Sequence, residues 1–348
     1  MPSDLDFILS ETKGLWDDLR NKNIFLTGGT GFFGTWLLET FAYADDQLDL
    51  GLHILVLSRH PEAFKKKNPK LANHRTIQFL QGDITDFSFP PGKFSHVIHA
   101  ATEASVELNK NNPLRMLDTI VLGTRRALEF ARAAGAHKFL LTSSGAVYGK
   151  QPTDLSHIPE SYAGAPDPLD PLSAYGEGKR MAEHLGVLYH RDYGIETKIA
   201  RCFAFVGPYL PLGGSFAVGN FIRDGLEGKT IQVNGDGTPY RSYLYAAELA
   251  IWLLTILVNG KAGRAYNVGS SSEITIHQLA NTMAKLFKVK VVVAKSPIAG
   301  KPLERYVPDV TRAGQELGLI QKITLSECLD RTVHWHRENR TELRSNLR

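Results

Sequence analysis

A tyrosine and a lysine four residues apart, Tyr175 and Lys179, have a spacing that could support catalysis. On a helix, side chains at positions i and i+4 lie on one face, so the phenol and the ammonium would be neighbours. A free tyrosine loses its proton near pH ~10, and a nearby cation favours the phenolate at lower pH. We therefore predict that Tyr175 takes a proton from a hydroxyl group of the substrate.

A serine-rich segment, Thr142 to Gly149, follows an apolar run and reads Thr-Ser-Ser-Gly-Ala-Val-Tyr-Gly. A serine at the end of a parallel strand lies at the ligand edge of the sheet. Ser144 is the candidate that would hydrogen-bond the same substrate oxygen as Tyr175. The alternative is that these serines only satisfy loop backbone.

A glycine-rich stretch near the N-terminus, Asn23 to Gly34, predicts a cofactor site. Its apolar strand meets a helical pattern through a tight turn, as in the opening of a Rossmann unit. Gly28 permits the turn, Gly31 lets the backbone approach a pyrophosphate, and Gly34 lets the helix pack on the strand. Amides at the start of that helix would face the anion, so we predict a bound dinucleotide.

The end of the second predicted strand, His53 to Arg59, bears on which dinucleotide binds. An acidic residue there would hydrogen-bond the ribose 2′-OH of NAD, whereas Ser58 and Arg59 suit the 2′-phosphate of NADP. Because a strand-end Arg can also simply face solvent, the prediction is tightly bound NADP or NAD, with NADP favoured. Asp83, after the third strand, either contacts the adenine amino group or serves as a turn residue.

Strands and helices alternate from residue 23 to residue 203, which predicts an α/β fold with a doubly wound parallel sheet. Residues 1–22 place apolar side chains at helical spacing and predict an amphipathic helix packed on this domain. From residue 204 to residue 340, glycine- and proline-rich pieces separate helices. They predict a smaller α/β substrate lobe built from non-contiguous segments, some of which return to the Rossmann domain. A ligand would bind in the cleft between the lobes.

Composition excludes several classes of function. The formal net charge of the 348 residues is +4 and the basic residues are dispersed, so no nucleic-acid partner is expected. The two cysteines, Cys202 and Cys328, have no metal-ligand spacing, which predicts no metal site and a reducing, cytoplasmic setting. The longest apolar run, Leu249 to Val258, is too short to span a bilayer, so no membrane partner is expected.

Together the motifs resemble the extended short-chain dehydrogenase/reductase family, in its nucleotide-sugar epimerase/dehydratase branch. The matching motifs are the glycine stretch, His99-Ala-Ala, Ser144 four residues before Tyr148, Tyr175-x-x-x-Lys179 and Gly235-Asp-Gly-Thr-x-x-Arg241. The resemblance runs from about Asn23 to Trp335. It implies an NAD(P)-bound enzyme that acts on a nucleoside-diphosphate sugar. It also implies a homodimer formed through the helices near Leu114 to Ala134 and Ala174 to Tyr193.

The resemblance also implies roles for individual residues, with Ser144, Tyr175 and Lys179 as the catalytic trio. With the residues argued above, the predicted cofactor-binding set is Gly28, Thr30, Gly31, Phe32, Phe33, Gly34, Ser58, Arg59, Asp83, Ile84, Ala100, Ala101, Thr102, Thr142, Tyr175 and Lys179. The predicted substrate-binding residues are Ser105, Asn220, Arg241 and Arg305. A planar guanidinium can bind two phosphate oxygens, which suits the two arginines, although a surface ion pair is the alternative for Arg305.

Some residues depart from the family pattern, and these departures bear on which reaction the protein catalyses. In the 4,6-dehydratases, Asp-Glu follows the catalytic hydroxyl residue, whereas Gly145-Ala146 stands here. The nucleotide-sugar decarboxylases of this branch have a Glu where Ala146 stands. The segment that contains Glu103 resembles a dehydratase loop, so Glu103 is a candidate acid/base from another direction.

These features predict an epimerase that oxidises a ring hydroxyl, at C4, of a nucleoside-diphosphate sugar and then returns the hydride. One alternative is a 4,6-dehydratase that uses Glu103, and another is a ketoreductase that exchanges NADPH. A non-catalytic NADP-binding regulator is disfavoured, because Tyr175, Lys179 and Arg241 are all present.

Overall fold

The structure is a computed structural model that describes residues 1–102, 105–214, 216–300 and 302–345. Its strands are β1 (Asn23–Thr27), β2 (His53–Ser58), β3 (Ile77–Gln81), β4 (His96–His99), β5 (Lys138–Ser144), β6 (Glu196–Cys202), β7 (Phe205–Val206), β8 (Ile231–Val233), β9 (Tyr240–Ser242), β10 (Leu244–Tyr245), β11 (Arg264–Val268), β12 (Glu273–Thr275), β13 (Val291–Val293) and β14 (Arg305–Tyr306).

The helices alternate with these strands through the first two hundred residues. They are α1 (Pro2–Glu11), α2 (Trp16–Leu19), α3 (Phe32–Leu48), α4 (Pro61–Lys67), α5 (Pro69–Ala72), α6 (Val106–Asn111), α7 (Pro113–Ala134), α8 (Ala174–Tyr193), α9 (Ala217–Leu226), α10 (Ala246–Asn259), α11 (Ile276–Phe287), α12 (Thr311–Leu317) and α13 (Leu325–Ser345). Short 3-10 turns occur at Lys13–Leu15, Gly145–Tyr148 and Pro171–Ser173.

Seven parallel strands form the central sheet, in the order β11-β6-β5-β4-β1-β2-β3. Strand order reverses beside β1, where the next strand in the chain lies on one side and β4 lies on the other. In such sheets a ligand binds at the carboxyl ends of the strands, at this switch point. The predicted α/β fold with a Rossmann-type parallel sheet is confirmed.

Apolar side chains alternate between the two faces of the sheet. Along β1, Ile24 and Leu26 join the larger buried cluster, whereas Phe25 points into a second cluster with Phe87 and Phe130. This alternation follows from the two-residue period of a strand. Burial on both faces explains why β1 reads as a continuous apolar run in the sequence.

Sequence signals set the bounds of the helix α7, which runs beside the catalytic segment. Asn112 accepts a hydrogen bond from the amide of Arg115 at 3.1 Å, and Pro113 occupies the first turn, where no donor is needed. Gly135 ends the helix with a φ of 75°, a left-handed conformation that suits glycine. Helix α7 packs along α8, and Gly178 of α8 lies against Ile120 of α7.

The segments outside the alternating region pack around this core. The N-terminal segment, predicted as an amphipathic helix, forms α1 and α2 and buries Ile8 and Leu19 completely. The C-terminal half contributes three small sheets, ordered β10-β7, β12-β9-β14 and β13-β8, while its strand β11 joins the central sheet beside β6. The division at residues 203 and 204 stays a prediction.

The described residues contain neither a membrane-spanning helix nor a cluster of metal ligands. None of the described helices has both the length and the apolar character needed to cross a membrane. Within the described ranges, no group of three or more His, Cys, Asp or Glu side chains is placed to hold a metal ion. The cytoplasmic setting stays a prediction.

Candidate active site

The carboxyl ends of the central strands open into a cleft of about 1860 Å³, whose opposite wall comes from the C-terminal half of the chain. It is lined by most residues predicted for cofactor and substrate. These are Gly28, Thr30, Gly31, Phe32, Phe33, Ser58, Arg59, Asp83, Ile84, Ala100, Ala101, Thr102, Ser105, Thr142, Ser144, Tyr175, Lys179, Asn220 and Arg241. The sheet topology therefore brings the motifs of distant segments to one site.

The glycine turn at the start of α3 contains four glycines, and the three predicted to serve the cofactor pack differently. Gly28 has a φ of 74°, and an added Cβ would lie 2.5 Å from the carbonyl of Ala100. A Cβ on Gly34 would lie 2.3 Å from the carbonyl oxygen of Gly28, so this glycine lies under the turn rather than in the cleft lining. At Gly31 the nearest protein atom would be 3.4 Å away, so packing within the protein does not require glycine there. The space beside Gly31 is therefore available to a ligand.

A hydroxyl without a partner in the described part of the chain, that of Thr102, lies just after β4, the strand beside β1. Thr102 lines the cleft, and its buried Oγ1 has no hydrogen-bond partner among the described residues. The first-turn amides of α3, from Phe32 onward, lack acceptors within their own helix. A dinucleotide supplies acceptors for such donors, so the residues present fit the cofactor that the sequence predicts.

The far end of the cleft contains Ser58 and Arg59, predicted to contact the ribose, and Asp83, predicted to contact the adenine. Burial opposes the charge of Asp83, but hydrogen bonds from Thr85 and the charge of Arg59 lower the pKa of its carboxyl, so it is ionised at neutral pH. Its Oδ1 accepts from the amide of Thr85 at 3.0 Å and from the hydroxyl at 2.7 Å, which is the geometry of a turn residue. Lys67 also lines this end. Sequence reasoning missed it, because the lysine run on α4 is typical of a solvated helix face.

Changing Arg59 to Asp is expected to weaken NADP binding by about tenfold or more and to favour NAD. The carboxylate would repel a 2′-phosphate, and losing a charge-assisted bond costs about 1.5–3 kcal/mol. Isothermal titration with each dinucleotide measures the change in affinity, with Lys66→Asp, on the helix α4 that follows Arg59, as the control. If the wild-type protein binds both dinucleotides equally and Arg59→Asp alters neither, the arginine has no role in cofactor choice.

The predicted catalytic trio lies together at the end of β5. Lys179 donates from Nζ to the carbonyl of Thr142 at 2.8 Å, and its burial lowers its pKa to about 8. Ser144 accepts from the amide of Ala146 at 3.1 Å, and its hydroxyl is near enough to Tyr175 to favour the phenolate. Desolvation raises the pKa of Tyr175 to about 12, and the Ser144 hydroxyl acts in the opposite direction.

These environments have a chemical consequence for the proposed base. In the protein alone, Tyr175 keeps its proton, because burial disfavours the phenolate. Lys179, whose Nζ lies 6.0 Å from the centre of the Tyr175 ring, contributes a positive charge on the same helix face. A second positive charge in the cleft, such as an oxidised nicotinamide, would favour the phenolate further.

The space beside Gly145 is filled by aromatic side chains. A Cβ added to Gly145 would lie 2.7 Å from Phe203 and 2.8 Å from the hydroxyl of Tyr306. The two rings pack with their centres 4.7 Å apart. An acidic side chain of the dehydratase type would therefore clash at this position. Glu103, the other predicted acid/base, lies outside the described residues.

The residues predicted for the substrate divide into two groups. Ser105, Asn220 and Arg241 line the cleft, and Arg241 donates to the carbonyl of Tyr240 at 2.8 Å. Arg305 does not line it. Its guanidinium pairs with Glu273 and stacks 4.1 Å above the Tyr240 ring, so a role in diphosphate binding stays a prediction that requires this ion pair to open.

A buried polar network behind the trio was missed by sequence reasoning. Arg201 on β6 makes a two-pronged bond to Glu183 on α8, at 3.0 and 2.7 Å, and donates to the hydroxyl of Tyr148 at 2.9 Å. Glu183 also accepts from Ser143 at 2.5 Å, and Tyr148 donates to Asn267 at 2.7 Å. No spacing rule links these residues in sequence. Tyr148 is held in this network and does not line the cleft.

Similarity to known proteins identifies the family of this chain. The model of the NAD-dependent epimerase/dehydratase family matches residues 24–269. The chain belongs to this family. The predicted membership of the epimerase/dehydratase branch is thus confirmed, as are enzymatic activity and dependence on a nicotinamide dinucleotide. The cleft that the sequence motifs line is therefore the candidate site for this chemistry.

Related proteins of the family differ in the reaction for which they are named. UDP-glucuronic acid decarboxylase 6 of Arabidopsis thaliana is 32% identical over 310 residues, which cover 89% of this chain and 87% of that protein. UDP-glucose 4-epimerase of Thermotoga maritima, solved with UDP-glucose, is 27% identical with a TM-score of 0.77 and coverage of 91% and 99%. The dTDP-glucose 4,6-dehydratase of Streptomyces venezuelae, solved with NAD, is 25% identical with a TM-score of 0.78 and coverage of 92% and 98%.

Proposed function

We propose that this family member is a nucleotide-sugar epimerase that acts by transient oxidation at C4 of a nucleoside-diphosphate sugar. The observation that supports this reaction is the environment of Gly145. The trio of Ser144, Tyr175 and Lys179 is assembled, while Phe203 and Tyr306 fill the space of a neighbouring acid. Oxidation of a ring hydroxyl needs only the trio and the cofactor, whereas dehydration and decarboxylation need further groups.

The chemistry follows from the residues at the end of β5. NAD, when bound, accepts a hydride from a ring carbon and later returns it. Tyr175 would take the proton of the ring hydroxyl and later give it back. Ser144 would hydrogen-bond the same oxygen, and Lys179 would favour the phenolate by its charge. If the keto sugar turns over before the hydride returns, the product would be the C4 epimer.

Decarboxylation is the second candidate, because decarboxylases are among the relatives with about 30% identity. Ala146 weighs against it, since decarboxylases of this branch have a glutamate there. A dehydratase that uses Glu103 and a ketoreductase are further alternatives within the family. Each of the four reactions leaves a different product.

The test is incubation with a panel of nucleotide sugars, UDP-glucose and UDP-glucuronic acid included, followed by mass spectrometry and proton NMR. Unchanged mass with a new sugar spectrum supports the epimerase. Loss of water, loss of carbon dioxide or net consumption of reduced cofactor would replace it with the dehydratase, the decarboxylase or the reductase. Protein with Tyr175→Phe serves as the control for background conversion.

Changing Arg241 to Ala is expected to weaken binding of the parent nucleoside diphosphate by roughly tenfold to a hundredfold, since a charge-assisted bond is lost. Dinucleotide binding should not change, because Arg241 lies on β9 in the opposite wall of the cleft. Isothermal titration with UDP and dTDP measures both affinities. Unaltered affinity for every diphosphate tried would remove the nucleotide-sugar assignment.

We also propose that the protein is a homodimer paired through α7 and α8. Exposed apolar side chains on these helices support the pairing, among them Leu114 at 73% and Leu122 at 50% on α7, and Met181 at 47% on α8. Burying such side chains is favourable in water. Sedimentation equilibrium at several concentrations tests this state, and a single-chain mass throughout would exclude it.

A further inference from the structure

Tyr306 lies in the active-site cleft, and the proposed function uses only its ring, which fills space beside Gly145. It is the last residue of β14, which pairs in parallel with β9 and places Tyr306 opposite Arg241. Its ring packs on Phe203, and its hydroxyl lies 3.4 Å from Oγ of Ser144, a residue 162 positions away in the chain. The C-terminal half of the chain therefore brings a phenol to the catalytic strand end.

The hydrogen-bonding capacity of Ser144 determines the direction of this contact. A serine hydroxyl has one donor and two acceptor positions. One acceptor position is taken by the amide of Ala146, at 3.1 Å. Before a substrate oxygen is bound, the single proton is best used toward Tyr175, because a phenolate is a stronger acceptor than a neutral phenol. The second acceptor position is then open to a proton from Tyr306.

The segment that carries Tyr306 is fixed by the Rossmann side of the molecule. The amide of Val307 donates to Oε1 of Gln151 at 3.0 Å. Ile158 donates to the carbonyl of Val307 at 2.9 Å and accepts from the amide of Asp309 at 3.0 Å. These bonds hold the backbone after Tyr306 against the loop that follows β5. The position of the phenol is thus set before any ligand binds.

We propose that Tyr306 is the outer donor of a hydroxyl chain, from Tyr306 to Ser144 to Tyr175, that stabilises the ionised form of the base. The inference rests on the proposed role of Tyr175 as base, and it assigns Tyr306 as a positioning residue that acts through Ser144. The separation of 3.4 Å exceeds the usual value of about 2.7–2.8 Å for such bonds. Catalytic hydrogen bonds of ligand-free enzymes commonly tighten when the complex forms.

The charges around Tyr175 and Tyr306 are consistent with hydrogen-bond donation from Tyr306 to Ser144 and from Ser144 to Tyr175. Burial raises the pKa of Tyr306, so it keeps its proton and remains a donor. Burial also raises the pKa of the Cys202 thiol to about 12, so that neighbour is neutral. Arg241 contributes positive charge near Tyr306 from β9. Lys179 is the cation nearest to Tyr175 on α8, and removing the Tyr306 hydroxyl leaves both charges in place.

The charges next to Lys179 also remain the same when the Tyr306 hydroxyl is removed. His99 lies on β4 and burial lowers its pKa to about 3, so it is uncharged. Glu183 lies on α8 itself and acts on Lys179 from behind the sheet edge. A change in the ionisation of Tyr175 upon Tyr306→Phe would therefore arise from the hydroxyl chain.

The test is the ionisation of Tyr175 in the cofactor-saturated protein without substrate. Carbon-13 label at the tyrosine Cζ reports ionisation by NMR, and Tyr175→Phe identifies the resonance. Tyr306→Phe keeps the ring on Phe203. In this variant, the pH at which Tyr175 is half ionised (the titration midpoint) is expected to rise by about one unit, which is a tenfold loss of phenolate. Tyr162→Phe, in the adjoining aromatic cluster outside the cleft lining, should leave the midpoint unchanged.

A double-mutant cycle with Ser144→Ala separates the effect of the hydroxyl chain from other effects of Tyr306→Phe on Tyr175. In the Ser144→Ala background, Tyr306→Phe should no longer move the midpoint, because the link is absent. The proposal is overturned by an unmoved midpoint in Tyr306→Phe, by an equal shift in both backgrounds, or by failure of Tyr306→Phe to fold. No substrate is needed, so failure of the epimerase assignment in the sugar panel is a separate outcome.

Discussion

Replacing Tyr175 with phenylalanine is expected to abolish hydride transfer while cofactor affinity changes little. The substitution removes only the hydroxyl that takes the substrate proton, and a positioned acid or base contributes about 10²–10⁴-fold to rate. The informative measurement is single-turnover reduction of bound cofactor by substrate, followed by the absorbance of the reduced nicotinamide. Net epimerisation gives no cofactor signal at steady state, so turnover alone would not locate the lost step.

Two neighbouring substitutions serve as graded controls for this result. Lys179→Met should lower the rate and also weaken cofactor binding, because the resemblance places this lysine in both the catalytic trio and the cofactor-binding set. Ser144→Ala should be milder, since it removes one hydrogen bond and leaves the base in place. Wild-type rates in Tyr175→Phe would end this mechanism. The search for the base would then move to Glu103, because Tyr148 is bonded to Arg201 and Asn267 behind the cleft.

The parts of the site that sequence predicts are those encoded by local spacing. The glycine turn, the Ser144 segment and the pair of Tyr175 and Lys179 each lie on one strand end or one helix face. Parallel strands joined by helices place all their carboxyl ends on one edge, so three local motifs meet without any knowledge of tertiary contacts. The observed order, with β4 and β2 on opposite sides of β1, follows the same rule.

Long-range contacts between irregular segments could not be predicted in this way. Tyr306 reaches Ser144 only because β14 pairs with β9 and the following residues pair with the loop after β5. Neither pairing has a periodic signal, since β14 is two residues long. Arg305 shows the same limit from the other side. Its position in the family pattern predicted binding to the substrate diphosphate, whereas the structure pairs it with Glu273.

Glu183 is a residue that local reasoning missed, and its replacement has a large expected effect on stability. Glu183 and Arg201 expose only 11% and 17% of their side chains, so their charges compensate each other in a largely desolvated setting. Glu183→Ala would leave Arg201 without its carboxylate and Ser143 without its acceptor. Breaking a buried pair from one side costs about 3–5 kcal/mol, and urea denaturation should show a loss of that size.

The double replacement Glu183→Met with Arg201→Met separates charge from packing. It removes both charges and keeps apolar volume, so it should cost less than Glu183→Ala alone, because no unpaired charge remains. Glu183→Gln keeps an acceptor for Ser143, so its loss of unfolding free energy should lie between those of the double variant and of Glu183→Ala. If the double variant is the least stable, the ion pair itself holds α8 to β6. If Glu183→Ala loses nothing measurable, water compensates Arg201, and the network is not what positions Ser143 next to the catalytic serine.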